Sequence, residues 1–296
     1  MAMFSAQCWR LWALLYCDTV NSNSDTSSTP SRDSSVLLTV EKTLRLLNLF
    51  DVEHQQWSIR ELREATGESK TNILRITKTL EKLEYLERDP ANGKLRLGTS
   101  VTKLSYVTLG HSELVLEAAP MMRRLCESTR QTVSLIVEIA PASVMLLYHV
   151  TLRFMPALRP TGGVVRPGLT SAASKVLLAF RPEATWDAVL AEPIQPRTER
   201  SIIDAAELRA QLLRARHEAI AFEFGEWNVE LGGVSAPVFG PDGNVRAAMS
   251  IVAPIGECAP RAMDHRAGAL RKVAADLSEQ LGAPLDRVAL LRNRSR

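Results

Sequence analysis

Residues 58–76 constrain this chain more than any other stretch. Ser58-Ile59-Arg60-Glu61 opens one short helix, Gly67 ends it, and Ser69-Lys70-Thr71-Asn72 opens another. Ser58 with Glu61 three residues on is a capping box: the serine hydroxyl takes a free backbone N–H and the glutamate reaches back to the serine's own. Gly67 can adopt the left-handed backbone of a tight turn, and Ser69 can cap the helix that follows. Two capped helices this close follow the grammar of a helix-turn-helix. Ile59, Leu62 and Ala65 fall on one side of the first, and Ile73, Ile76, Leu80 and Leu83 on one side of the second, the apolar stripes expected of helices packed on a core. An earlier helix starts near Thr39, where Val40, Leu44, Leu47 and Phe50 recur at helical spacing. Downstream, residues 85–97 hold two short strand-like runs around Pro90-Ala91-Asn92-Gly93, the pattern of a β-hairpin. The sum predicts a winged helix-turn-helix over residues 39–99.

Such a unit reads DNA with its second helix. Ser69, Lys70, Thr71, Asn72, Arg75 and Lys78 stand at the start of that helix or on its polar face. Arginine can bond bidentately to guanine and asparagine to adenine, while lysines and hydroxyls suit phosphates. In the hairpin Arg88, Lys94 and Arg96 are placed to meet backbone phosphates. A charged face is also what any solvated helix shows, and Arg88 could equally pair with Glu87 or Asp89. The capped helix pair together with the hairpin is what favours a double-stranded DNA operator as the partner.

Bulk composition adds limits. At 296 residues the chain is long enough for two domains with real cores, and 46% hydrophobic with 23% charged residues describes a globular protein. A net charge of +3 would not by itself have pointed to nucleic acid. Cys8, Cys17, Cys126 and Cys258 form no Cys-x-x-Cys pair, and the five histidines are scattered; neither a zinc finger nor any other metal or cofactor site is expected. Residues 1–38 read as a disordered or mis-assigned extension, with an interfacial or partner-binding helix as the alternative. Its apolar run, residues 8–17, is too short for a bilayer, which needs about 20 residues, and it lacks the flanks of a signal peptide. A cytoplasmic protein without membrane contact is the expectation.

Beyond the hairpin a linker helix is predicted over 100–115, with breaks near Gly110 and at Pro120. Residues 116–285 then alternate strands (133–139, 144–150, 219–224, 234–239, 245–253) with helices (172–180, 205–216 and a last one through Leu270, Val273 and Leu277). Pro241-Asp242-Gly243-Asn244 reads as a hairpin turn. This is α+β, an antiparallel sheet carrying helices. The arginine-rich end, 286–296, reads as a frayed basic tail. Ser171 and Lys175 lie four apart, a spacing open to a nucleophile and its base, but no nucleophile elbow, phosphate loop or metal set accompanies them. An enzyme is not expected, and Lys175 reads better as the start of a helix with Val176, Leu177 and Leu178.

Three segments of the first half, Val40-Glu41-Lys42-Thr43-Leu44-Arg45-Leu46-Leu47, Ile73-Leu74-Arg75 and Tyr85-Leu86-Glu87-Arg88-Asp89-Pro90, resemble the isocitrate-lyase regulator (IclR) family of bacterial transcription regulators. So do residues 167–179 and Ala236-Pro237-Val238 with the Asp-Gly turn after it, so that the resemblance spans about residues 39–281. It implies a second domain similar to GAF and PAS sensor domains, which binds a small organic effector and joins subunits into homodimers or homotetramers. It implies further that Ala172, Ala173, Glu223, Gly233, Ser250 and Val252 line the effector cavity, although ordinary packing around the sheet would also account for each. Small residues opening a helix leave backbone N–H groups free for a carboxylate, which the helix dipole favours. Glu223 stands where the family often has aspartate, Gly233 where a cysteine or polar group is frequent, Val252 where serine is frequent, and Ser174 replaces a usual glycine. A roomier, less polar pocket follows, suited to an effector larger or more aromatic than a two- or three-carbon keto acid. Repression is the default sign of regulation. Leu74 stands where a polar residue is common, which leaves open a degenerate ligand- or protein-binding module that has lost specific DNA reading.

Overall fold

The computed structural model describes residues 36–51, 54–110, 112–152 and 165–293, in two compact units that divide between Tyr106 and Val107. The expectations for residues 1–35 and for the last three residues lie outside the described residues.

The first unit contains α1 (Leu38–Leu47), α2 (Ile59–Thr66), α3 (Lys70–Lys82) and a hairpin of β1 (Leu86–Arg88) with β2 (Leu95–Leu97). Both halves of the capping box form: Ser58 N donates to Glu61 Oε2 at 2.6 Å and Glu61 N to Ser58 Oγ at 3.2 Å. Gly67 turns the chain at φ +70°, and its N–H closes on Arg63 O at 2.9 Å. Trp57 and Leu95 exchange backbone bonds at 2.9 and 2.8 Å, which pins the hairpin to the segment before α2. Leu46, Leu62, Ile73, Ile76, Leu80, Leu86 and Leu95 form the core. This is the winged helix the sequence predicts, with three corrections inside it. Val40 and Leu44 are exposed: α1 enters the core through Leu46, with Leu47, Leu49 and Phe50 partly buried against it. Leu83 is exposed because it caps α3 rather than continuing it, and the buried helical position is taken by Thr77, whose hydroxyl donates to Ile73 O at 2.9 Å. Ala65 is exposed as well.

From α4 (Thr99–Gly110) the chain passes into α5 (Glu113–Thr129), capped by Ser112. Pro120 does not break this helix as expected: it sits on the exposed side, while Val115, Ala118, Met122 and Leu125 hold the other side in the core. The second unit is built on a six-stranded antiparallel sheet of order β5-β4-β3-β8-β7-β6, made of β3 (Thr132–Ala140), β4 (Ser143–Val150), β5 (Val165–Pro167), β6 (Ala221–Phe224), β7 (Leu231–Phe239) and β8 (Val245–Pro254). Strand alternation gives the sheet two faces. Val133, Leu135, Val234, Met249 and Ile251 pack on one with α5 and α9 (Pro260–Gln280). On the other, Ile136, Ala248 and Ala221 pack with α6 (Ala172–Ala179), α7 (Glu183–Ala191) and α8 (Ala205–Glu218). Helices on both faces of an antiparallel sheet give the α+β, GAF-like layering expected. The end of the chain is a further correction. Residues 285–292 form α10 (Leu285–Arg292) instead of a frayed tail: Val288 and Leu291, three apart, are buried, Arg287 lies over the Phe239 ring at 5.6 Å, and Arg292 reaches Asp276 and Glu279.

Candidate functional site

The first candidate surface is the outer face of α3. Lys70, Thr71, Leu74, Arg75 and Lys78 are exposed there, and the side chains of Lys70, Arg75 and Lys78 bond to nothing else among the described residues. Two expected members are committed to the fold: Ser69 Oγ accepts Asn72 N at 3.2 Å as the helix cap, and Asn72 Nδ2 donates to Glu68 Oε2 at 2.6 Å. Glu68 in turn holds Lys42 at 2.7 Å, and these bonds keep its carboxyl below the usual value. The hairpin cations are occupied too. Arg88 pairs with Glu81 at 3.1 Å, not with Glu87 or Asp89, and donates to Gly93 O at 2.9 Å; Lys94 pairs with Glu61 at 3.0 Å and Arg96 with Glu87 at 2.6 Å. Exposed pairs of this kind are worth about 0–1 kcal/mol, so a phosphate can compete for each cation. Leu74, 44% exposed, puts an apolar side chain in the middle of the face, where a thymine methyl group is the natural contact.

The second candidate site lies on the α6 side of the sheet. Glu223, Gly233, Val252 and Thr132 stand directly opposite one another across β6, β7, β8 and β3. Ala221, Ser235, Ser250 and Ser134 form the next row on the same face, with His149 of β4 opposite Ser134. The following row, Ala248 and Ile136, already belongs to the apolar core beneath α6. The direction of α6 follows from its ends: Lys175 in its first turn reaches Glu226, just past β6, while Phe180 at its close meets the Phe239 ring edge-on at 5.2 Å. The helix thus begins beside the two polar rows. Ser171 caps it by accepting Ser174 N at 3.1 Å, which leaves the N–H groups of Ala172 and Ala173, first-turn donors without intrahelical partners, at the mouth of these rows. All six residues expected to line the effector cavity therefore fall on one face of the sheet or at the helix end above it.

The sequence reading missed what holds this end together. Lys175 and Glu226, 51 positions apart, make a buried pair with Nζ at 2.6 and 2.7 Å from the two carboxylate oxygens. Lys175 is thereby held by a carboxylate and Ser171 by its cap, so the pair with nucleophile-and-base spacing is spoken for on both sides. Glu226 N donates to Glu223 Oε2 at 3.1 Å, and Ser201 Oγ donates to Glu226 O at 2.7 Å. Burial pushes the Glu223 carboxyl up to about 7, with the charge of Glu226 adding to the effect. Beside it Trp227, Leu231 and Val252 make an apolar wall. A side chain at Gly233 would meet Glu223 Oε1 at 3.5 Å, an ordinary contact, so sterics do not demand the glycine and its absence of bulk opens space next to the acid. Among the described residues no three histidine, cysteine or acidic side chains converge as a metal site, and no helix is long and apolar enough to cross a membrane.

Known proteins share this two-domain fold. The model for the IclR helix-turn-helix domain matches residues 39–90, and that for the bacterial transcriptional regulator IclR C-terminal domain matches residues 106–279. The Escherichia coli transcriptional regulator XynR is 24% identical over 251 residues, which span 84% of this chain and 99% of the relative. The E. coli regulator KdgR is 25% identical over 261 residues, 88% of this chain and 97% of its own. An IclR regulator structure from a Silicibacter species superposes with a TM-score of 0.74 at 26% identity, covering 83% of this chain and 97% of that one. A fold neighbour from Microbacterium hydrocarbonoxydans, TM-score 0.69 at 22% identity over 82% and 98% of the two chains, is a complex with 4-hydroxybenzoate.

Proposed function

The chain belongs to the IclR family of bacterial transcriptional regulators, and from that premise we propose that it binds an operator through α3 and responds to a carboxylate effector held at the α6 end of the sheet. The observation that carries the second half is the meeting of an open helix N-terminus, a buried acid and an apolar wall on one sheet face. A helix end binds an anion through its free N–H groups and dipole, and the wall of Trp227, Leu231 and Val252 accepts an aromatic or other bulky apolar body. The fold neighbour's hydroxybenzoate is of this chemical kind.

In this reading Lys70, Arg75 and Lys78 contact DNA from the start, whereas Arg88, Lys94 and Arg96 exchange their carboxylate partners for phosphates. Leu74, exposed in the middle of that face, is suited to a thymine methyl, so its apolar side chain is compatible with specific DNA reading. The protein acts as a homodimer, or a pair of dimers, in the cytoplasm. Two copies of α3 would then reach half-sites one or more helical turns apart. The effector is bound and released unchanged, since the one Ser–Lys pair near it is already committed. Repression is the working sign of regulation, and an E. coli relative is named the repressor AllR.

The test is fluorescence anisotropy of the full-length protein against DNA upstream of its own and neighbouring genes, at several salt concentrations. Binding that exceeds random DNA, weakens steeply with salt and is changed by aromatic carboxylates is the expected result. No preference over random DNA would return the weight to a degenerate ligand-binding module.

A further inference from the structure

The side chain of Asn72 is held on one side only. Its Nδ2 donates to Glu68 Oε2 at 2.6 Å, and that bond takes one of the two protons on the nitrogen. The amide oxygen, Oδ1, accepts from nothing among the described residues. A free asparagine amide can turn over and exchange its donor and acceptor positions. A carboxylate only accepts, so Glu68 fixes the nitrogen toward itself and the oxygen away from itself. Glu68 is fixed in its turn. Its Oε1 takes Lys42 Nζ, from α1, at 2.7 Å. That cation, with the Asn72 bond adding to it, holds the carboxyl below its usual value and so keeps it ionised and acceptor-only. Lys42, Glu68 and Asn72 therefore form a line from α1 through the turn to α3, and the line ends in one amide oxygen and one amide proton.

We infer that Glu68 is a positioning residue for base reading, which presents the remaining oxygen and N–H of Asn72 to an adenine in the major groove. This rests on the DNA-binding reading above and names one base that α3 recognises. Adenine sets an N6 amine beside the N7 acceptor, the complement of an amide oxygen beside an amide N–H. Guanine sets two acceptors there, O6 and N7, and one of them would face the fixed oxygen. Lys42 has a second effect, since it offsets the Glu68 charge that would otherwise repel phosphates around the start of α3. The same three contacts also tie α1 to α3. A tie that serves only the fold and one that aims a base reader differ in what they do to sequence preference.

The experiment is fluorescence anisotropy of the full-length protein on the operator fragment, with each A·T pair replaced in turn, for wild type, Asn72→Ala, Glu68→Gln and Glu68→Ala. The wild type is expected to favour adenine by about tenfold at one position, and Asn72→Ala to lose that preference there alone. In Glu68→Gln the new amide donates as readily as it accepts, and in Glu68→Ala the anchor is gone. Both should reduce the preference at that position to about twofold, and Asn72→Ala with Glu68→Gln should lose no more of it than Asn72→Ala alone. Both also remove a negative charge and release Lys42, so binding to random DNA should hold or tighten. A tie serving only the fold would weaken operator and random DNA together, and that result overturns the positioning role. An adenine preference that survives in both Glu68 variants overturns it as well. Full preference at every position in Asn72→Ala overturns the base contact itself. A wild type with no preference over random DNA sinks the DNA reading on which this rests.

Discussion

Helices α3 and α6 open with the same device and are put to opposite uses. Each is capped by a serine, Ser69 or Ser171, that accepts the N–H three residues on. After that cap α3 turns Lys70, Arg75 and Lys78 to solvent, whereas every one of the eight residues of α6 is buried. In the proposed reading the first presents cations to a polyanion too large to enter the protein, and the second presents bare N–H groups to an anion small enough to be enclosed. What separates them is where the charge of the first turn goes: Lys70 stays in water, and Lys175 is drawn inward onto Glu226.

The largest break in this comparison comes from that buried lysine. Lys175→Met leaves Glu226 without its cation in a dry site, and removing one partner of a buried pair costs about 3–5 kcal/mol. The second unit should lose that much stability in urea unfolding, and Lys175→Met with Glu226→Leu should regain most of it. Lys70→Met, in the exposed first turn of α3, should change stability by no more than about 0.5 kcal/mol. Equal losses at the two positions would show that α6's pair is not the source of the difference.

Next in size is DNA affinity. Arg75→Ala should weaken operator binding by about 1–3 kcal/mol and relax base preference at one position, with carboxylate binding to the second unit unchanged. Anisotropy on matched and mismatched operators measures both. A uniform loss over all sequences would make Arg75 a phosphate contact instead.

How much of this was legible beforehand differs between the two halves for the same physical reason. The α2–turn–α3 unit is specified by neighbours in sequence, since Ser58 finds Glu61 and Ser69 finds Asn72 within three residues, and it was readable almost in full. Its errors, Val40, Leu44, Ala65 and Leu83, fall in the first or last turns of helices, where tertiary packing decides which side is covered. The proposed effector site is specified across the sheet. Ser134, Ser235 and Ser250 belong to three strands, and only their register reveals a row. Lys175 and Glu226 lie 51 positions apart, with nothing local to join them. The one available hint was the pair of small polar residues two apart in β3, Thr132 and Ser134, set among so much valine and isoleucine.

A smaller effect separates the sites by pH. Glu223 has a folded pKa of about 7 against an ordinary 4.5, mainly through burial. The folded form therefore holds its proton over a range where the unfolded chain has lost it. Stability from this group is complete below about 4.5 and falls as pH rises toward 7, where the loss levels off. Melting curves of the wild type should shift downward by several degrees between pH 5 and 7.5, on the scale of about 2–4 °C per kcal/mol for a domain of this size. Glu223→Gln should flatten that slope and leave DNA binding untouched. A slope that persists in the variant would place the titration elsewhere.

The finest test concerns the hairpin, where cations are neither free like Lys70 nor buried like Lys175. Lys94 rests on Glu61 at 3.0 Å, and Glu61 is also the second half of the α2 capping box. Its carboxyl is lowered to about 2, first by the Ser58 N–H and then by Lys94. Lys94→Gln should leave stability near that of the wild type, because the pair is exposed, and should weaken binding to all DNA sequences alike, with the log–log salt slope smaller by about 1. Glu61→Gln keeps an amide oxygen for the Ser58 N–H, as the capping box allows, and releases Lys94 without moving it. That variant should bind DNA slightly tighter than the wild type. If both variants bind as the wild type does, Lys94 stays on Glu61 in the complex, and the cations that meet DNA are those α3 already leaves in water.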